Sequence, residues 1–469
     1  MKILAALLLL FGLVLPAMAQ DETPEEERTW FIGFVEDQLS GPNRDIRIFD
    51  IQGILSSNAT IGQITVADRD GVWLRIVNAS IVWSRSALLL QRRLEIETLS
   101  AERIEVVRQP VPTEELPSPE ARTFAVPDLP LAINLENLEI ELARFGPTVF
   151  GLESELSMQG RLRLEDGSLD TALEIVRLDG PGGQLSLAAQ YSNETEILDL
   201  DFALSEPENG VVATLLDIQG RPPIDLTIAG AGPIAELDIE LTLDADQERI
   251  LTGIATLRRQ VEGLAFQTRL GGPIARLVPQ QFRAFFGDET ALQASGLVRD
   301  EGGFLLEALE IDSAALSLQA TAETTSDWFL RRLEMSAVID DGTPSPVVLP
   351  VPGGQTTVDR ARLSLAYGEA VGEEWSGALV IERLQTPEFL AEETRLTLGG
   401  TAENIDNPFE RRLTFAIQGA LEGIAPASPE IGEALGDRIA LDVEGEWNAG
   451  EPLLIEEALL SAQALEVVR

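Results

Sequence analysis

RPPIDLTIAGAGPIAELDIELTL, residues Arg221–Leu243, holds an apolar side chain at every second position of two runs. The first run is Ile224, Leu226 and Ile228; the second is Leu237, Ile239, Leu241 and Leu243. A period of two puts such residues on one face of a β-strand, with the intervening Asp, Thr and Glu on the other. Between the runs, Gly230-Ala231-Gly232-Pro233 reads as a turn. It also looks faintly like a phosphate loop. No Lys follows it, however, and Pro233 lacks the N–H that a phosphate would need.

The same grammar extends in both directions. Leu162 and Leu164, Leu185 and Leu187, and Leu200 and Phe202 alternate with polar neighbours, as do Leu413, Phe415 and Ile417. Strands bounded by Gly, Asn and Asp recur roughly every ten to fifteen residues, a spacing found in sandwiches and barrels. The predicted class is all-β. No strict period is present, so the named repeat families do not apply. The alternating face is either the closed core of a sandwich or the lining of an open groove, and periodicity alone does not separate the two.

Composition excludes most chemistry. The chain of 469 residues has no His and no Cys. That removes Ser-His-Asp, Cys-His and His-metal sites, and no disulfide is possible. Its Lys is Lys2, so the remaining basic residues are Arg. With 78 acidic against 34 basic residues the formal charge is −44, which argues against nucleic acid and against anionic membrane surfaces. Carboxylates are too numerous for any pair to mark a catalytic site. Asp68-Arg69-Asp70-Gly71 resembles the start of a calcium loop, but the twelfth position is Ala79 where Glu is needed. It is expected to be a hairpin turn. No catalytic residue, metal site or cofactor is expected, and the chain is read as a non-enzyme.

Lys2, the apolar run Ile3–Leu15, Pro16 and Ala17-Met18-Ala19 form an export signal, with Ala17 and Ala19 flanking the cleavage position. Residues 1–19 are thus a signal peptide or anchor, and 20–29 an acidic leader. Residues 30–108 are expected to hold a short helix (Phe31, Phe34, Val35 and Leu39 at helical spacing) and a β unit. Residues 109–130, with their prolines, are a predicted linker. Residues 131–469 are a long β body. Within it, GGPIARLVPQQFRAFFGDE at 271–289 predicts a short helix or helical turn, broken at Pro279, that plugs one end of the sheet core. The last residues, PLLIEEALLSAQALEVVR, still alternate, so the β pattern is expected to continue beyond Arg469.

Several long segments resemble the TamB family, which belongs with AsmA-like and bridge-type lipid-transfer proteins. They include GILSS at Gly53–Ser57, ITVADRDGVWL at Ile64–Leu74, WSRSALL at Trp83–Leu89 and LEIETLSAERIEVVRQP at Leu94–Pro110. ARLVPQQFRAFFG, within 275–287, is similar as well. The resemblance runs through roughly the first 300 residues. It implies an elongated, curved, taco-like β groove in the periplasm that carries phospholipid acyl chains between inner and outer membrane and supports outer-membrane protein and autotransporter assembly. It also implies attachment to the inner membrane at the N-terminus and a BamA-like outer-membrane barrel, TamA, as partner. The partner-engaging C-terminal domain of the family is not in this chain, and Ala17-Met18-Ala19 departs from the uncleaved anchor usual in the family. On this resemblance the groove-lining residues are the sixteen alternating ones named above, from Leu162 to Ile417. The alternative is a closed-core spacer, or a factor that templates strands at its sheet edges.

Overall fold

A computed structural model describes residues 40–41, 44–53, 56–111, 126, 131–351, 355–368, 372–428, 436–462 and 466–468. The expected signal, acidic leader and helix from Trp30, and most of the expected linker, lie outside the described residues. The all-β expectation is borne out: 67% of the described residues are in strands and 6% are helical. Among the described residues no helix is long and apolar enough to cross a membrane. Two compact units divide the described chain. One holds residues up to 233 together with 243–248; the other holds 234–242 and the chain from 249 onward.

The first unit is a sheet of β1 (Asp45–Gln52), β2 (Asn58–Asp68), β3 (Gly71–Trp83), β4 (Arg93–Val106), β5 (Ala132–Phe145), β6 (Ser154–Glu165), β7 (Ser168–Arg177), β8 (Gln184–Ser192), β9 (Ile197–Glu206) and β10 (Ile224–Pro233). Chain neighbours pair antiparallel, except that β4 and β5 pair in parallel. The expected linker thus connects two strands that are direct neighbours. Asp68-Arg69-Asp70-Gly71 is the hairpin turn expected of it, between β2 and β3. Gly230–Pro233 is not a turn: it is the end of β10, with Gly230 opposite Leu200 and Gly232 opposite Leu198. Glycine there interrupts the apolar alternation without interrupting the strand.

In the second unit come β12 (Glu248–Arg259), β13 (Gly263–Gly272), β14 (Thr290–Arg299), β15 (Phe304–Asp312), β16 (Leu316–Thr324) and β17 (Leu330–Ile339). They are followed by the short hairpin β18–β19 (Val347–Val348, Thr357–Val358), then β20 (Arg360–Gly368), β21 (Gly372–Gln385), β22 (Phe389–Glu403), β23 (Arg412–Pro426), β24 (Arg438–Asn448) and β25 (Leu454–Ser461). β17 pairs with β20, so the hairpin stands outside the main run. β11 (Glu236–Ala245) spans the division between the units. β15 carries an extra residue at a bulge: Leu306 faces Ala322 and Leu309 faces Ala320. Both leucines, three apart, therefore stay in apolar rows.

The helical plug expected from 271–289 is present as turns at Ile274–Arg276, Gln280–Phe282 and Arg283–Phe286. Phe285 packs in a cluster with Ala315, Val347, Val358 and Ala361. A further helix, Arg85–Gln91, joins β3 to β4 and was not legible from alternation. Its signal is Ser84, whose Oγ accepts from the Ala87 N–H at 3.3 Å, the usual chemistry of a helix N-cap.

Candidate functional site

Directly opposed residues of paired strands point to the same side of a sheet, so the register traces rows across it. In the first unit one row runs Ile51, Ile61, Ala79, Ala101, Ile140, Met158, Ile175, Leu185, Leu204, Leu226, apolar through all ten strands. The next runs Ala59, Ile81, Leu99, Leu138, Gly160, Leu173, Leu187, Phe202, Ile228. The row between them reads Gln52, Thr60, Ser80, Ser100, Glu139, Gln159, Glu174, Ser186, Ala203, Thr227 and faces the other way. One side of this sheet is therefore apolar and the other polar.

The second unit repeats the arrangement. Gly253, Leu270, Leu292, Ile311, Leu318, Ala337, Leu363, Leu379, Leu396, Gly419, Leu441 and Leu460 form one row over twelve strands. Glycine serves these rows by making room. A Cβ on Gly377 would lie 2.4 Å from Leu365 Cδ2, so the neighbouring leucine occupies its place.

The sheet curls in each unit, and in the second it curls toward the apolar side. In the first, the helical turns Pro147–Phe150 after β5 and Val211–Leu215 after β9 come together, a Cβ at Gly151 lying 3.3 Å from Thr214 Cγ2. A flat sheet would hold strands four places apart at about 19 Å. In the second, Phe329, just before β17, stacks on Trp447 of β24 at 6.0 Å between ring centroids. Those strands are five places apart, about 24 Å if flat. Trp447 pairs with Leu413, which carries it on the apolar side.

At the ends of the strands the apolar side is covered. Leu94 and Ile96 are fully buried in a cluster with Trp83, Ile133 and Leu135, against which Leu88 of the helix packs. At the end of β9 the buried Glu206 accepts the Val211 and Val212 N–H groups at 3.0 and 2.8 Å and so docks the turn Val211–Leu215. That turn brings in Ala213, which is fully buried. Away from these clusters the burial is less complete, and Leu162 and Leu164 pack at the edge of the Leu94 cluster. Leu162, Leu164, Leu185, Leu187, Leu200, Phe202, Leu226 and Ile228 are half-buried, and so are Leu413, Phe415 and Ile417.

Of the sixteen residues expected to line a groove, the register brings those of β6, β8, β9 and β10 onto one face. Leu413, Phe415 and Ile417 alternate on the apolar side of β23. Ile239, Leu241 and Leu243 are half-buried on β11. Ile224 and Leu237 are core residues, 2% and 0% exposed.

A cavity of about 490 Å³ in the second unit is lined by Leu241, Gly253 and Leu270 together with Glu240, Thr252 and Arg269. One of about 450 Å³ is walled by Gln159, Arg161, Glu174, Ser186 and Asp201, and another of about 450 Å³ by Glu310, Gln319, Thr321 and Glu334. Those residues belong to rows opposite in direction to the leucines, but Leu173 and Leu187 line the first cavity as well, and Leu309, Met335 and Leu365 the second. Among the described residues no cluster of acidic groups is arranged to hold a metal. The carboxylates with displaced pKa values serve as ties. The Arg108 guanidinium holds Asp68 well below the usual carboxylate range, and Asp68 also accepts from the Val111 N–H at 2.8 Å, pinning the chain after β4 to the β2–β3 turn. Arg411 likewise draws Asp327 down to about 2.

The geometry defines an all-β protein with long, one-sided apolar sheets, capped at strand ends and less completely buried between them. No family model, curated protein or solved structure matches this chain.

Proposed function

We propose that the apolar faces bind phospholipid acyl chains, and that the protein works in the bacterial envelope as a TamB-like periplasmic bridge for lipid between inner and outer membrane. What supports this reading is the incomplete burial of most residues in apolar rows that continue over ten strands of one unit and twelve of the other. Incompletely covered apolar surface that continues over so many strands is costly in water and marks a binding face. Each methylene moved onto it contributes about 0.8 kcal/mol. No group is consumed in such a role; the sheet replaces water around the chain, and the −44 charge keeps the body soluble. The resemblance in Gly53–Ser57, Ile64–Leu74 and Leu94–Pro110 supplies the envelope setting, the TamA-like partner and the assembly role.

The experiment is mass spectrometry of organic extracts of the purified protein, with photocrosslinkers at Leu226 and Leu241. Phospholipid crosslinked at both positions is expected. Leu241→Asp should abolish capture there while strand content is kept, because a charge on an apolar face is costly to cover. Lipid-free protein with both positions silent would sink the proposal and favour a closed spacer or a strand-templating factor.

A further inference from the structure

One side chain in the second unit ties together segments far apart in sequence. Arg411 follows the loop after β22, and its side chain is 7% exposed. Its Nη2 donates to Asp327 Oδ1 at 2.6 Å, and its Nε donates to the Ile405 carbonyl at 2.7 Å. Its guanidinium lies 4.2 Å from the Phe329 ring centroid, and that ring also stacks on Trp447. Four pieces of chain thus converge: the β16–β17 turn, the loop after β22, the start of β23 and the end of β24. A cavity of about 800 Å³ lies beside them, lined by Arg331, Tyr367, Glu373, Asn404 and Asp406. Hydrogen bonds within β17, β20, β21, β22, β23 and β24 fix neighbours only. They do not fix how tightly the run curls.

We infer that Arg411 is a latch that sets the curl of the β17–β24 sheet, and with it the width of the apolar trough. The fork of one arginine satisfies a carboxylate and a carbonyl on opposite sides of the gap, which a monodentate cation would not do. The Phe329–Trp447 stack closes the same gap from the apolar side. With the latch intact the trough has one width. With it released, the curl relaxes toward the flat spacing of the strands. The latch stands without any ligand; its effect on acyl-chain capture rests on the function proposed above.

The chain contains no Cys, so Ser326→Cys with Phe409→Cys gives an unambiguous pair of spin labels across the gap. A single narrow distance distribution is expected for this protein. Arg411→Ala should lengthen it by about one strand spacing, roughly 5 Å, with the strand signal in circular dichroism preserved. Should Arg411→Ala fail to fold, Asp327→Asn decides in its place, since it keeps the packing and removes only the charge. Unchanged distances overturn the latch. In parallel, cis-parinaric acid binding should weaken several-fold on release. Lengthened distances with unaltered binding keep the latch and count against the acyl-chain reading.

Discussion

Within the first unit, the helix-capped end of β3–β5 and the middle of β8–β9 carry the same apolar alternation and meet water differently. Leu94, Ile96, Ile133 and Leu135 are buried at 5% exposure or less, whereas Leu187, Leu200 and Phe202 are only half-buried. The alternation is equally regular in both regions. What differs is a cover: the helix Arg85–Gln91 packs Leu88 against the cluster at the β3–β5 end. Period two selects the face; a separate element decides whether that face becomes a core.

Truncation should break the symmetry most strongly. Ile96→Ala removes packed side chain and is expected to cost about 2–5 kcal/mol. Leu187→Ala should cost about 1 kcal/mol or less, because that side chain already meets solvent. Urea unfolding of the two variants measures the difference, and equal costs would mean that both regions are closed. A smaller effect is expected from the cover. Ser84→Ala removes the N-cap and should destabilise the helix by about 1 kcal/mol. Maleimide labelling of an Ile96→Cys reporter should then quicken, while that of Leu187→Cys stays as it was.

The smallest effect concerns acid. Asp327 has its pKa lowered from the ordinary 3.8 to about 2 by hydrogen bonding to Arg411. A carboxyl depressed in the folded state stabilises fully above its ordinary value and loses that contribution as pH falls through the folded one. The Ser326–Phe409 label distance should therefore be constant from neutrality down to about pH 4 and lengthen only toward about pH 2. Lengthening already at about pH 5 would assign the latch to other groups.

The strands and the apolar side were legible in the sequence because residues such as Leu185, Leu187, Leu200 and Phe202 obey period two without exception. Glycine hid part of the pattern. Gly230 and Gly232 sit in apolar rows opposite Leu200 and Leu198, and were read as a turn because their missing side chains erase the alternation. Ile224 and Leu237 share the pattern of the open residues and are buried, since burial depends on what crosses their strand ends. Arg411 was invisible for a different reason: its partner Asp327 lies 84 positions away, and only the curl of the sheet brings them together.

The bulge in β15 has a consequence for inherited variation. Each strand has, in effect, a reading frame of two residues. A single-codon insertion inside β8 would behave as a frameshift of the sheet, turning Leu185 and Leu187 outward and their polar neighbours inward. A two-codon insertion would stay in frame. β15 spends one extra residue between Leu306 and Leu309 and absorbs it as a bulge, so that both leucines remain in their rows. Length changes in descendants of this gene should accordingly concentrate at turns, come in twos within strands, or leave a bulge where a single residue was gained.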